Sequence, residues 1–144
     1  MSPKPLPETI SYILAQVCRT HRGYASVLLA DLGLYVGQEM VLLHLWQEDG
    51  LTLSQLAYRL AVQPPTVTKM LERMHKVGLL ECRKDAQDHR VSRVYLLDLG
   101  RKLQKSVEGI WDVLEERTLA DFNLEERVLL RRLLLQLQAN LTKS

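Results

Sequence analysis

Leu51–Leu97 reads LTLSQLAYRLAVQPPTVTKMLERMHKVGLLECRKDAQDHRVSRVYLL. Thr52 and Gln55 have the spacing of a capping box for a short helix running to about Leu60. Ala61-Val62-Gln63 make a turn, and Pro64 and Pro65 suit the first turn of the next helix, where missing N–H groups cost little. That helix ends at Gly78. Leu79–Lys84 and Val91–Leu97 follow as strands, because Val91, Val94 and Tyr95 favour extended backbone and Asp85–Arg90 supplies a charged connecting tip. Helix, turn, helix and hairpin in this order fit a grip on duplex DNA, with one helix in the major groove and the tip at the minor groove.

Sorting the second helix by face sharpens that reading. At 100° per residue, Val67, Met70, Leu71 and Met74 gather on one side, and Pro65, Thr66, Lys69, Arg73 and Lys76 on the other, with Thr68 at the flank. Short hydroxyls near the helix start can approach bases or thymine methyls, and Lys69 and Arg73 can reach phosphates or guanine edges. A solvated charged face would account for any one such stripe. The two prolines, the paired threonines, the preceding short helix and the hairpin together favour DNA. The expected DNA-facing set is Ser54, Pro64, Pro65, Thr66, Thr68, Lys69, Arg73, Lys76, Arg83, Lys84, Asp88, Arg90 and Arg93. Within it, Arg90 enters a narrow minor groove, and Asp88 pairs with a nearby arginine to hold the tip in shape.

Charge placement agrees. Net charge is only +2, yet Arg59–Arg93 carries eight basic residues against four acidic ones, a local +4 that leaves −2 for the rest. A basic module on a mildly acidic body is the footprint of a polyanion binder. The 144 residues are 47% hydrophobic and 25% charged, which suits one domain with a real core and argues against disorder. Neither a signal peptide nor a membrane-length apolar run is seen, so the expectation is a cytoplasmic protein without a membrane partner. Cys18 and Cys82 are far apart and expected to be buried, inert thiols.

Outside the central stretch, apolar residues at Ile10, Ile13, Leu14, Val17, Tyr24 and Leu28 mark a helix from Glu8 to about Ala30, closed by Asp31-Leu32-Gly33. MSPKPLP before it reads as a loose tail. Tyr35–Glu48 is expected as a second helix and Leu99–Leu119 as one long helix. Asn123 caps a last helix, Leu124–Leu141, whose leucines exceed what one side of an isolated helix needs. The fold class is mainly α, an α+β winged helix: a DNA-binding lobe at 35–98 between an N-terminal dimerisation helix, 1–34, and C-terminal dimerisation helices, 99–144. A two-fold homodimer would bury the apolar last helix.

LTLSQLAYRL, PPTVTKMLERMHKVGLLECRKDAQDHR and VYLLDLGRKL, with the Asp-x-Arg tip at Asp88-His89-Arg90 and Leu79-Leu80-Glu81 after Gly78, resemble the MarR family of bacterial transcription factors. The resemblance covers nearly the whole chain. It implies a triangular homodimer of winged helix-turn-helix lobes, usually a repressor, binding a pseudo-palindromic operator with recognition helices about one DNA turn, roughly 34–36 Å, apart.

The resemblance also implies release from DNA by small aromatic molecules held between the dimer helices and the lobe. Tyr24, Tyr35, His44, Trp46 and Trp111 are the aromatic residues on helices that would line that cleft, although aromatics so spaced more often belong to core. One branch of the family senses oxidants through a cysteine near the start of the first helix. Cys18 falls about two turns later, where Ser11 is nearer the expected position, so regulation through Cys18 or Cys82 is the weaker alternative. Another branch binds zinc through histidines after the wing, and His21, His44, His75 and His89 all precede that point, so neither metal nor cofactor is expected. An enzyme would need a phosphate loop, a nucleophile elbow or a supported acid–base pair, and no such motif is found. A winged helix that binds protein instead of DNA is the remaining rival, opposed by the Lys69, Arg73 and Lys76 face.

Overall fold

The capping box at Thr52 forms in the computed structural model of the protein, which describes residues 2–143: Thr52 Oγ1 accepts from Gln55 N at 3.1 Å and Gln55 Oε1 accepts from Thr52 N at 2.8 Å. The elements are α1 (Ile10–Ala30), α2 (Gln38–Gln47), β1 (Leu51–Thr52), α3 (Leu53–Leu60), α4 (Pro64–Lys76), β2 (Leu80–Lys84), β3 (Ser92–Leu96), α5 (Asp98–Lys102), α6 (Gln104–Thr118) and α7 (Leu124–Thr142). A 3-10 turn, Leu6–Glu8, takes in the end of the expected loose tail and Glu8, the expected start of the first helix. The result is a mainly helical fold with a small antiparallel sheet. The chain falls into two compact units, Met1–Trp111 and Asp112–Ser144.

In the first unit, Val67, Leu71 and Met74 of α4 sink into a core with Leu42 and Leu45 of α2, Leu56 of α3, and Leu80, Val94 and Leu96 of the sheet. Three helices end alike. After α1, α3 and α4 the chain turns through a left-handed residue, Gly33 (φ 73°), Ala61 (φ 55°) and Gly78 (φ 82°) respectively. At Gly78 the motif is complete, with Leu79 N–H donating to Met74 O at 3.0 Å and Gly78 N–H to His75 O at 3.0 Å. Ala61 takes this conformation without the freedom of glycine, at a cost of roughly 1–2 kcal/mol, and Val62 N–H donates to Ala57 O at 3.1 Å as part of the turn.

The structure corrects the sequence reading in three places. The second helix starts at Gln38, not Tyr35: Gly37 has φ 103°, Gln38 Oε1 accepts from Tyr35 N, and both Glu39 carboxylate oxygens accept from Gly37 N. The sheet has three strands, in the order β1-β3-β2, with Leu51 opposite Val94 and Thr52 opposite Arg93. The long post-wing helix is divided at Leu103 into α5 and α6, although Leu103 N–H donates to Leu99 O at 3.2 Å and Leu103 O accepts from Val107 N at 2.9 Å.

In the second unit, α7 opens with a capping box: Asn123 Oδ1 accepts from Glu126 N and Glu126 Oε1 accepts from Asn123 N, each at 2.9 Å. Arg127 donates to the Phe122 and Leu119 carbonyls at 3.1 Å each, closing the turn into α7. Val128, Leu129, Leu133, Leu134, Leu135 and Leu141 along α7 are exposed.

Candidate nucleic-acid interface

Burying Val67, Leu71 and Met74 fixes which side of α4 faces out. Pro64, Pro65, Thr66, Thr68, Lys69, Arg73 and Lys76 are all exposed there, as is Ser54 at the head of α3. Lys69, Arg73 and Lys76 make no ion pair with the described residues. Their charges are therefore uncompensated, and the one acidic residue amid them is Glu72.

The wing is braced from within. Asp85 accepts from the backbone N–H groups of Gln87 (3.0 Å) and Asp88 (2.9 Å), and from Arg93 Nε at 2.5 Å. Arg93 also donates to the Gly50 carbonyl at 2.8 Å, tying β3 to the segment entering β1. Asp88 receives the Arg90 backbone N–H and Nε, each at 3.1 Å. Arg90 Nη2 also donates to Asp88 Oδ2 at 3.3 Å, so its guanidinium is paired with Asp88 while the side chain stays 91% exposed. Arg83 pairs with Glu81 and lies 4.5 Å over the Tyr95 ring, and Lys84 is exposed without an ion pair among the described residues. Of the wing cations expected at DNA, Lys84 has no ion pair among the described residues and Arg90 stands exposed in a pair with Asp88, whereas Arg83 and Arg93 are held against the body of the wing.

Asp85 is the brace that the sequence reading missed. The Asp85-Ala86-Gln87-Asp88 spacing, suited to a side chain capping the N–H groups two and three residues on, was its signal. The bond from Arg93, followed by the two backbone donors, holds the Asp85 carboxyl below its ordinary value. A carboxylate with a folded pKa below its unfolded one stabilises fully above the unfolded value and loses that contribution as pH falls through the folded value. The Arg93–Asp85 bond, followed by the Arg93 Nε–H resonance in NMR, is therefore expected to persist down to at least the ordinary aspartate pKa of about 3.9. Its loss between pH 5 and 7 would contradict this account.

The five aromatic candidates for an effector site are not brought together. Trp46 and Trp111 wall a cleft of about 320 Å³ between α2 and α6, with Glu39, Met40, Leu43, Val107 and Glu108. Tyr35 lines a separate depression with Arg19, Arg22, Gly23, Ser26 and Val36. Tyr24 and His44 line neither. The His44 Nδ1 is buried without a hydrogen-bond partner among the described residues, and burial, then the Arg59 charge, lowers its pKa. Trp46 donates its indole N–H to the Gly100 carbonyl at 2.9 Å, linking the cleft wall to the helix behind the wing. Burial raises the pKa of Glu39, whose carboxylate caps α2.

Both cysteines depart from expectation, being exposed. Cys18 points outward from α1, and Cys82 lies where β2 has already left the core, beyond buried Leu80. What burial remains around Cys82 raises its thiol pKa, opposite to what an oxidant sensor needs. Among the described residues, no cluster of three or more His, Cys, Asp or Glu could hold a metal, and no helix is long and apolar enough to cross a membrane.

A helix with an uncompensated cationic face, carried on a helix-turn-helix and followed by a braced wing, defines a winged helix-turn-helix DNA-binding lobe. Residues 34–92 match the model of the MarR family. The chain is similar to transcriptional regulator AdcR of Streptococcus pneumoniae, at 33% identity over 100 residues covering 69% of this chain and 68% of that one. It is 36% identical over 87 residues to TtmR, an HTH-type transcriptional regulator of Methylorubrum extorquens, a stretch that is 60% of this chain but only 44% of TtmR. In structure it is similar to MepR of S. aureus in complex with DNA, with TM-score 0.85, 26% identity, and coverage of 92% of this chain and 98% of that one. The chain belongs to the MarR family. It is a DNA-binding transcriptional regulator, from a family of regulators rather than enzymes.

Proposed function

We propose that this protein is a homodimeric repressor that binds a pseudo-palindromic operator and is released by a small aromatic effector. The observation that carries the DNA part is the outward face of α4, where Lys69, Arg73 and Lys76 stand without ion pairs among the described residues. In this reading Pro64, Pro65, Thr66 and Thr68 approach base edges and Lys69, Arg73 and Lys76 take phosphates or guanines. Ser54 contacts backbone from α3, Lys84 and Arg90 take the flanking groove, and Asp88, Arg83 and Arg93 keep the wing in shape. That MepR has been solved with DNA supports the same use of the lobe here. A regulator of chromosomal genes works in the cytoplasm.

The dimer is supported by apolar surface that one chain leaves in water. Leu6, Ile10, Ile13 and Val17 near the N-terminus, and Leu129, Leu133, Leu134, Leu135 and Leu141 of α7, are exposed. Monomers rarely carry such stretches. On this reading 1–34 and 99–144 join two copies, and 35–98 is the DNA-binding lobe. The effector part is supported by the cleft between α2 and α6, whose two indole walls suit a flat apolar molecule. Trp46 stands in that wall and bonds Gly100, so an occupant that turned the indole would disturb the helix following the wing.

The test is to select bound duplex from a random pool, titrate affinity against salt, and measure mass by sedimentation. Phosphate-driven binding should weaken with a log–log slope of about −0.9 per neutralised phosphate, by a species of twice the chain mass. A 16.6 kDa species at micromolar concentration, or no binding to any duplex at low salt, would end the proposal. Arg90→Ala should weaken binding about tenfold, the worth of one good groove contact, with unchanged melting. Tight binding by that variant would remove the wing from the interface.

A further inference from the structure

The two threonines on the outer face of α4 are differently committed. Thr68 Oγ1 donates to the Pro64 carbonyl at 3.1 Å, the bond back along its own helix that a helical threonine readily makes. The Thr66 hydroxyl has no hydrogen bond among the described residues. With its hydroxyl bonded back to its own helix, exposed Thr68 has its methyl group left as the group available to a partner. Pro65, three residues earlier on the same face, sets its ring beside that position, and both residues are exposed. The pair makes a small apolar spot on a face otherwise occupied by Lys69, Arg73 and a free hydroxyl.

In the major groove only thymine offers a methyl group, at C5; the other edges offer donors and acceptors. We infer that Thr68 and Pro65 together form a thymine-methyl reader, while Thr66 reads a hydrogen-bonding base edge. This rests on the DNA-binding role proposed for α4, and assigns base classes within it.

The experiment takes the full-length protein and a duplex that it selects from a random pool. Each selected thymine is replaced in turn by deoxyuridine, which removes only the methyl group. Affinities are then measured for wild type, Thr68→Val, Thr68→Ser and Thr66→Val, with folding checked by circular dichroism. Thr68→Val keeps the methyl group and the β-branched shape while putting a second methyl in place of the hydroxyl, so it should bind within about twofold of wild type. Thr68→Ser and one particular thymine-to-deoxyuridine change should each weaken binding about fourfold, the worth of one buried methyl group. Combined, they should cost no more than either alone. Thr66→Val should weaken binding on both duplexes equally. If Thr68→Val loses affinity while Thr68→Ser retains it, or if no thymine methyl matters, the inference is wrong. If wild type selects no duplex at all, the DNA-binding role of α4 falls, and the inference with it.

Discussion

Lys69→Ala combined with Arg73→Ala is expected to weaken DNA binding about a hundredfold near physiological salt, on the order of tenfold per lost contact. Both side chains are exposed, one turn apart, and without ion pairs among the described residues. Neither side chain makes a hydrogen bond or ion pair among the described residues, and alanine is the better helix former, so the melting temperature should change little. Salt dependence separates the two jobs these residues can do. Two lost phosphate contacts should reduce the log–log slope by about 1.8 and weaken all sequences alike. Lost guanine contacts should leave the slope nearer its original value and relax the selected sequence instead. Glu72→Ala, on the same helix, is the control, and removing its negative charge should strengthen binding if α4 faces phosphate. A double variant that bound as tightly as wild type would show that α4 does not enter the groove.

Much of this interface was legible because it is built from local rules. The spacing of Val67, Leu71 and Met74 fixes the buried side of α4, and hence the outer one, whatever the rest of the fold does. Capping at Thr52 and Asn123 depends on residues three positions apart, and both caps form. What escaped depends on distant partners. β1 is two residues long and exists only because Leu51 and Thr52 meet Val94 and Arg93 about forty positions later, a pairing without a periodic signal. Arg93 looked like one more wing cation, yet Asp85 and the Gly50 carbonyl claim it, and neither contact can be read from its immediate neighbours. The late start of α2 turns on Gly37 at φ 103°, which periodicity does not register because Tyr35 and Val36 extend the apolar pattern. Trp46 and Trp111 share a cleft but the other three aromatics do not: His44 lies on another side of α2, Tyr24 is on α1, and Tyr35 precedes α2.

Gly100→Ala should destabilise the protein by about 3 kcal/mol, the upper part of the range for forcing extra atoms into a packed site. Propensity alone gives the opposite sign, since glycine inside a helix costs roughly 0.5–1 kcal/mol relative to alanine. Packing decides, because the new Cβ would stand 2.2 Å from the Leu79 carbonyl oxygen and 3.1 Å from Leu96 Cδ2. The first obstacle is backbone and cannot swing away. That carbonyl also accepts the Leu97 N–H at 3.0 Å, and the Gly100 carbonyl receives the Trp46 indole at 2.9 Å. Moving α5 outward therefore strains the base of the wing and the cleft wall together, and DNA affinity should fall along with the melting temperature. Gly109→Ala supplies the comparison within the same chain: Gly109 sits in α6 with nothing within 4 Å of an added Cβ. There propensity should act unopposed and raise stability by about 0.5–1 kcal/mol. Thermal or urea unfolding of the two variants reads both signs. If Gly100→Ala proved as stable as wild type, α5 would not be pinned against Leu79, and the coupling of cleft to wing through Trp46 would lose its anchor.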